Sequence, residues 1–158
     1  MTQQMWFSGG GDRVQAAFDA ALAWCDGCYV VTEAPTAADN GDRIWHQLGL
    51  SAERVRSAVL SNLESADSDL VGSLYGVGRV RRFTEVRQQG HFIWFERGDE
   101  IRFLLAPAAL RSSTFEGSGV WMYWEGERGG LPDGLRAVLD SALAASTTAN
   151  PAEILGGP

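Results

Sequence analysis

What most restricts the fold of this chain is an amphipathic helical pattern that runs, through one tight turn, straight into a continuous apolar segment. From Arg13 to Cys25 the apolar positions Val14, Ala17, Phe18, Ala21, Leu22 and Cys25 recur at intervals of three and four, the spacing of a single helix face. Asp12 supplies an N-cap. Asp26-Gly27 is turn chemistry, and Cys28-Tyr29-Val30-Val31-Thr32 is rich in β-branched and aromatic residues, which predicts a buried strand. A helix feeding a buried strand is the beginning of an α/β layering.

The alternation continues down the chain. Pro35 to Gly41 reads as a loop, and Ile44 to Leu48 as a short helix ended by Gly49. Arg54 to Leu60 partly alternates as a strand, with a helix from Ser51 as the competing reading, and Asp69 to Tyr75 is helical. Gly76-Val77-Gly78 breaks the chain before a strand over Arg79 to Phe83. His91 to Glu96 and Glu100 to Ala106 are strands joined by the hairpin Arg97-Gly98-Asp99. Ser118 to Trp124 is a further strand, and Leu131 to Ala145 a closing amphipathic helix. The expected fold is α/β, a mixed β-sheet flanked by helices. Residues 12–145 form one domain between a flexible start, 1–11, and a flexible C-terminal tail, 146–158. The 158 residues suit one such domain, able to bury roughly two-thirds of its unfolded surface. No apolar run approaches the ~18–20 residues of a membrane span, and the start lacks the pattern of a signal peptide, so a cytoplasmic protein without membrane contact is expected.

Charge narrows the chemistry. All 13 basic residues are arginine, and there is no lysine. A Walker-type phosphate loop, Schiff-base catalysis, Ser–Lys hydrolysis and lysine-assisted phosphodiester cleavage are therefore excluded. The net charge of −7 argues against broad attraction to nucleic acid, which depends on many cations neutralising phosphates. Locally, Arg79, Arg81, Arg82 and Arg87 form the densest positive stretch, either a solvated strand face or a contact for nucleic acid or an acidic partner.

Other motifs are weaker. Trp24-Cys25-Asp26-Gly27-Cys28 has the C-x-x-C spacing of a redox pair, but such pairs follow a strand and open a helix, whereas here a helix precedes and a strand follows. The cysteines are read as structural. Zinc held by Cys25, Cys28, His46 and His91 would need irregular, long spacing, and no metal or cofactor is expected. His46 reads as a surface or interface residue. Ser8-Gly9-Gly10-Gly11-Asp12 lacks the strand and cation of a phosphate loop. Trp121 and Tyr123 alternate with Met122 and Trp124, so that strand is apolar on both faces. Trp94, Trp121 and Trp124 either fill the core or anchor a protein partner.

From Ile44 onward the order of elements and several strings resemble the phospholipase D-like phosphodiesterases and nucleases. Family members carry a strand beginning H-x-K, a hairpin, a second strand entering a G-S-x-N turn, an acid-bearing strand and a C-terminal helix. The matching segments are His91 to Arg102, Ala108 to Gly117, and Ser118 to Glu125. By this resemblance His91 takes the place of the nucleophilic histidine and Ile93 that of the phosphate-binding lysine. Asp99 lies one position late for the aspartate, and Ala106-Pro107-Ala108-Ala109 replaces the polar turn. No carboxylate stands within Val120-Trp121-Met122. Losing one group that stabilises charge in the transition state typically costs ~10²–10³ in rate, and several are gone.

The resemblance implies a single phospholipase D-like half that is catalytically degenerate and acts by binding, paired with a second copy or a partner subunit. Its implied setting is a bacterial assembly that processes nucleic acid or defends against phage. One alternative is an active phosphodiesterase rebuilt around His91 with Arg102 or Arg111 as the cation. Another is an unrelated α/β protein-binding module.

Overall fold

The computed structural model describes residues 3–8, 12–84 and 90–149. Chain order runs β1 (Gln3–Ser8), α1 (Asp12–Trp24), β2 (Gly27–Glu33), α2 (Arg43–Leu50), β3 (Val55–Ser61), α3 (Ser68–Gly76), β4 (Val80–Phe83), β5 (His91–Arg97), β6 (Glu100–Ala106), α4 (Ser112–Glu116), β7 (Val120–Glu127), α5 (Asp133–Ala144) and β8 (Ser146–Thr148). The strands form one sheet in the order β1-β7-β6-β5-β2-β3-β4-β8. β2, β3 and β4 are parallel, and every other pairing is antiparallel.

Side-chain alternation divides the interior between two faces. On one face Val30, Ala58, Ile93, Phe95, Leu104, Trp121 and Tyr123 pack beneath α1, α2, α3 and α4. On the other, Val31, Val59, Phe92, Trp94, Phe103, Met122 and Trp124 are covered by Leu139 and Ala142 of α5 and by Leu131 from the turn before it. The three tryptophans read as possible partner anchors are 3%, 0% and 1% exposed at positions 94, 121 and 124. They fill this chain's own core and present no surface to a partner.

Several boundaries differ from the sequence expectation for local reasons. The segments read as a flexible start and a frayed tail each supply an edge strand. β1 aligns with β7 from Gln3↔Glu125 to Ser8↔Val120, and β8 pairs β4, fixed by the Arg81 guanidinium on the Ser146 hydroxyl and carbonyl, both at 2.8 Å. Ser146-Thr147-Thr148 carries no hydrophobic period, and long-range pairing makes that strand. α2 continues through Gly49 to Leu50, with Gly49 lying against Ser73 of α3. β7 reaches Glu127 since Glu125, Gly126 and Glu127 pair with Arg102, Ile101 and Glu100. The choice left open at Arg54 to Leu60 falls to a strand, inserted in parallel between β2 and β4.

Candidate functional site

His91 opens β5, directly beyond the register pair Val31↔Phe92, which places it beside Thr32 near the carboxyl ends of the parallel strands. That edge of an open α/β sheet is where ligand sites form. Thr32 is fully buried, and its Oγ1 lies 2.9 Å from His91 Nδ1. The direction of this hydrogen bond follows the ring's tautomer. The same oxygen accepts the backbone N–H of Leu110 at 2.9 Å. Nδ1 is thereby engaged, and any attack by the imidazole falls to Nε2. Partial burial disfavours the charged ring and pulls the His91 pKa below its usual value; Glu33 works against the shift and Arg111 adds to it.

Arg111 reaches this neighbourhood because the loop between β6 and α4 is pinned on both sides of it. The Trp45 indole Nε1 donates to the Leu110 carbonyl at 2.7 Å, and the Ser112 N–H donates to Asp42 Oδ2 at 2.7 Å. Asp42 Oδ1 also caps α2 through the Ile44 and Trp45 N–H groups, so one carboxylate joins two helix starts. The Arg111 guanidinium itself is bound to Asp39, Nη1 to Oδ1 at 3.2 Å, and the other oxygen of Asp39 accepts the Thr36 N–H at 2.9 Å.

Beneath His91 on the same face sits Ile93, 0% exposed within the main core. An ammonium there would have neither water nor a carboxylate, which a buried charge requires. Pro107 follows β6, and it packs so tightly that a Cβ on Gly119 would come within 2.5 Å of its ring.

The remaining candidates lie elsewhere. Arg102 is on β6 opposite Phe95, stacked 4.2 Å over the Trp24 ring and 3.6 Å from Glu125. At four residues along the strand from Ala106, which faces His91, it stands roughly 13 Å from the site. Arg79, Arg81 and Arg82 border or occupy β4, three strands from β5, roughly 14 Å across the sheet. Arg81 serves β8, and Arg87 lies outside the described residues. His46 is exposed on α2. Asp99 belongs to the β5–β6 hairpin, where its carbonyl accepts the Arg128 N–H. Among the described residues no group of three metal-ligating side chains converges. No described helix is long and apolar enough to cross a membrane.

Sequence reasoning missed Thr32, Asp39, Asp42 and Trp45. The T-x-x-D spacing of Thr36 and Asp39, a capping box, marked the turn that positions Asp39. It also missed a second polar centre at the far end of β5. There the Glu96 carboxylate, largely buried, binds Arg56 on one oxygen and Arg128 on the other at 3.1 Å, with the Trp94 indole donating at 3.2 Å.

No family model matches the sequence, and no curated protein matches it either. Solved structures do. The chain is similar to Nuc from Salmonella typhimurium, a phospholipase D family member, at TM-score 0.59 and 11% identity, covering 95% of this chain and 98% of that one. It is similar to NucT from Helicobacter pylori at TM-score 0.63 and 9% identity, covering 94% and 100%. It also resembles the phosphatidylserine synthase of Haemophilus influenzae Rd KW20, at TM-score 0.59 and 12% identity over 94% of this chain and 39% of that one. In each case the likeness covers more than nine-tenths of this chain. The chain has the fold of the phospholipase D-like superfamily and forms one half of that architecture.

Proposed function

We propose that this chain is a phospholipase D-like half that has lost phosphodiester cleavage and serves as a binding and assembly subunit. The burial of Ile93 carries the reading: where the resemblance expects a cation for the equatorial oxygens, the strand has an aliphatic side chain locked in the core. Arg111, the arginine that acts on His91, has its guanidinium on Asp39. His91 could still attack, but its partners for binding a phosphoryl group and protonating the leaving oxygen are not assembled around it.

Assembly is supported by the edge of the sheet. β1 runs six residues with no charge and no proline, and among the described residues it pairs on one side only, with β7. Edges of that kind invite another strand. Coverage of nearly the whole lengths of Nuc and NucT supports a unit of this size as a chain of its own, and pairing with a second copy or a partner subunit rests on the resemblance. A setting in a nucleic-acid-processing or phage-defence assembly rests on the resemblance alone.

A second reading is favoured by one observation. The Leu110 N–H, the Thr32 hydroxyl and His91 Nδ1 form a continuous hydrogen-bonded path, which sets Arg111 one residue from a group tied to the imidazole. Release of Arg111 from Asp39 would offer a guanidinium to a phosphate, and the chain would be a rebuilt phosphodiesterase. Turnover of bis(p-nitrophenyl) phosphate and of single- and double-stranded DNA separates the two. The first reading expects no release above buffer and no difference between wild type and His91→Ala. Cleavage that His91→Ala and Arg111→Ala both abolish would overturn it in favour of the second.

A further inference from the structure

We propose that Arg56 and Arg128, gathered on the buried Glu96 carboxylate, form a clamp for a dianionic phosphate group, a binding site separate from the His91 site. Glu96 lies near the other end of β5, five residues from His91 and so roughly 17 Å away along the strand. It is the one buried carboxylate among the described residues. Arg56 Nη1 binds one of its oxygens. Arg128 Nη2 binds the other at 3.1 Å, and the Trp94 indole donates to that same oxygen at 3.2 Å.

The backbone is shaped to bring both arginines there. Cys28 pairs with Val55 and Tyr29 with Ser57, which leaves Arg56 as the extra residue of a bulge between parallel strands. Bulges are rare in parallel pairs, and they re-aim a side chain. Gly27 lies directly across from Glu96 in the register of β2 and β5, and its missing side chain leaves the space that Arg56 takes. A Cβ at Gly27 would overlap the guanidinium, 2.6 Å from its Cζ. Arg128 comes from the turn after β7 and is held at both of its backbone groups. Its N–H donates to the Asp99 carbonyl at 2.6 Å, and its own carbonyl accepts Arg136 Nη2 at 3.3 Å.

Charge and exposure then point outward. One cation is enough to pair a buried carboxylate, and Glu96 has two. Neither guanidinium meets a second carboxylate among the described residues, so the trio is net positive in a chain whose total charge is −7. The Glu96 side chain is 11% exposed, whereas those of Arg56 and Arg128 are 44% and 43% exposed. The carboxylate thus sits behind and fixes two forks that remain open to solvent. Each guanidinium carries five N–H donors, and Glu96 engages one nitrogen of each. Two forks fixed in this way suit the oxygens of one phosphate, which arginine binds bidentately. A phosphate monoester or free phosphate offers three acceptor oxygens and nearly two charges. A diester offers less of both, so the clamp favours the dianion.

The Trp94 indole N–H, bonded to Glu96, reports on the clamp directly. The full-length protein is titrated at constant pH and low ionic strength with inorganic phosphate, phenyl phosphate and dimethyl phosphate. Indole N–H signals are followed by NMR, that of Trp94 being assigned from Trp94→Phe. Inorganic phosphate is expected to shift the Trp94 signal saturably in the low millimolar range, and dimethyl phosphate to bind about tenfold more weakly or worse. Equal binding of phenyl phosphate identifies the ligand as the terminal phosphate of a larger molecule; saturation by inorganic phosphate alone identifies it as the free ion. Arg56→Lys and Arg128→Lys keep the charge beside Glu96 but lose the fork, and each should weaken binding about tenfold. Gly27→Ala should do the same by displacing the Arg56 guanidinium with no change of charge. A Trp94 signal that stays in place in the wild type, dimethyl phosphate binding as tightly as phosphate, or wild-type affinity in both lysine variants would overturn the proposal.

Discussion

Thr32 Oγ1 serves two groups at once, the Leu110 N–H and His91 Nδ1, each at 2.9 Å in a buried position. Thr32→Val keeps the shape and removes both bonds, leaving the Leu110 N–H without its partner. Such an orphan costs about 1–3 kcal/mol, to be read as a loss of unfolding free energy in urea. Proton affinity supplies a second test at the same place. Burial, helped by Arg111, holds His91 below its usual pKa, so the unfolded chain binds the proton more readily than the folded one. Where the unfolded state takes up more protons, stability rises with pH. The folded state therefore weakens as pH falls from neutrality through the ordinary histidine range towards the lowered folded value. Denaturation midpoints between pH 7.5 and 5 should decline more steeply for the wild type than for His91→Gln, which lacks the titration; parallel profiles would contradict the assignment.

At the scale of elements, β5 decides the site, because one strand holds the His91 imidazole, the aliphatic residue below it and the Glu96 cluster at its far end. Ile93→Lys would put an ammonium into the main core without a carboxylate to meet it. An uncompensated buried charge of this kind costs about 3–5 kcal/mol, and a large fall in the melting temperature is expected, with no gain in phosphodiester cleavage. A stable, well-folded Ile93→Lys would show that β5 still has room for the lysine. Much of this strand was legible in advance: His91 to Glu96 was read as a strand, and the hairpin after it announced β6. The two-sided burial of Trp121, Met122, Tyr123 and Trp124 was equally readable from alternation. Edge strands β1 and β8 were not, because Ser146-Thr147-Thr148 has no apolar period and is ordered by Arg81 from 65 residues away. The Thr32–Leu110 bond, spanning 78 residues, was hidden for the same reason.

For the whole molecule, the fold places His91 at the sheet edge where a ligand site belongs, yet distributes the arginines to structural partners around it. Arg56 and Arg128 hold Glu96, Arg81 holds β8, Arg102 meets Trp24 and Glu125, and Arg111 meets Asp39. With a net charge of −7 and no lysine, the surface offers little to draw in a polyanion from a distance. The account thus stands on whether the neighbourhood of His91 can hold a phosphoryl oxygen at all. Titrating the full chain with inorganic phosphate and with vanadate, while following the His91 ring signals by NMR, asks this directly. The account predicts signals that stay in place through millimolar anion; a saturable shift, lost in Arg111→Ala, would contradict it.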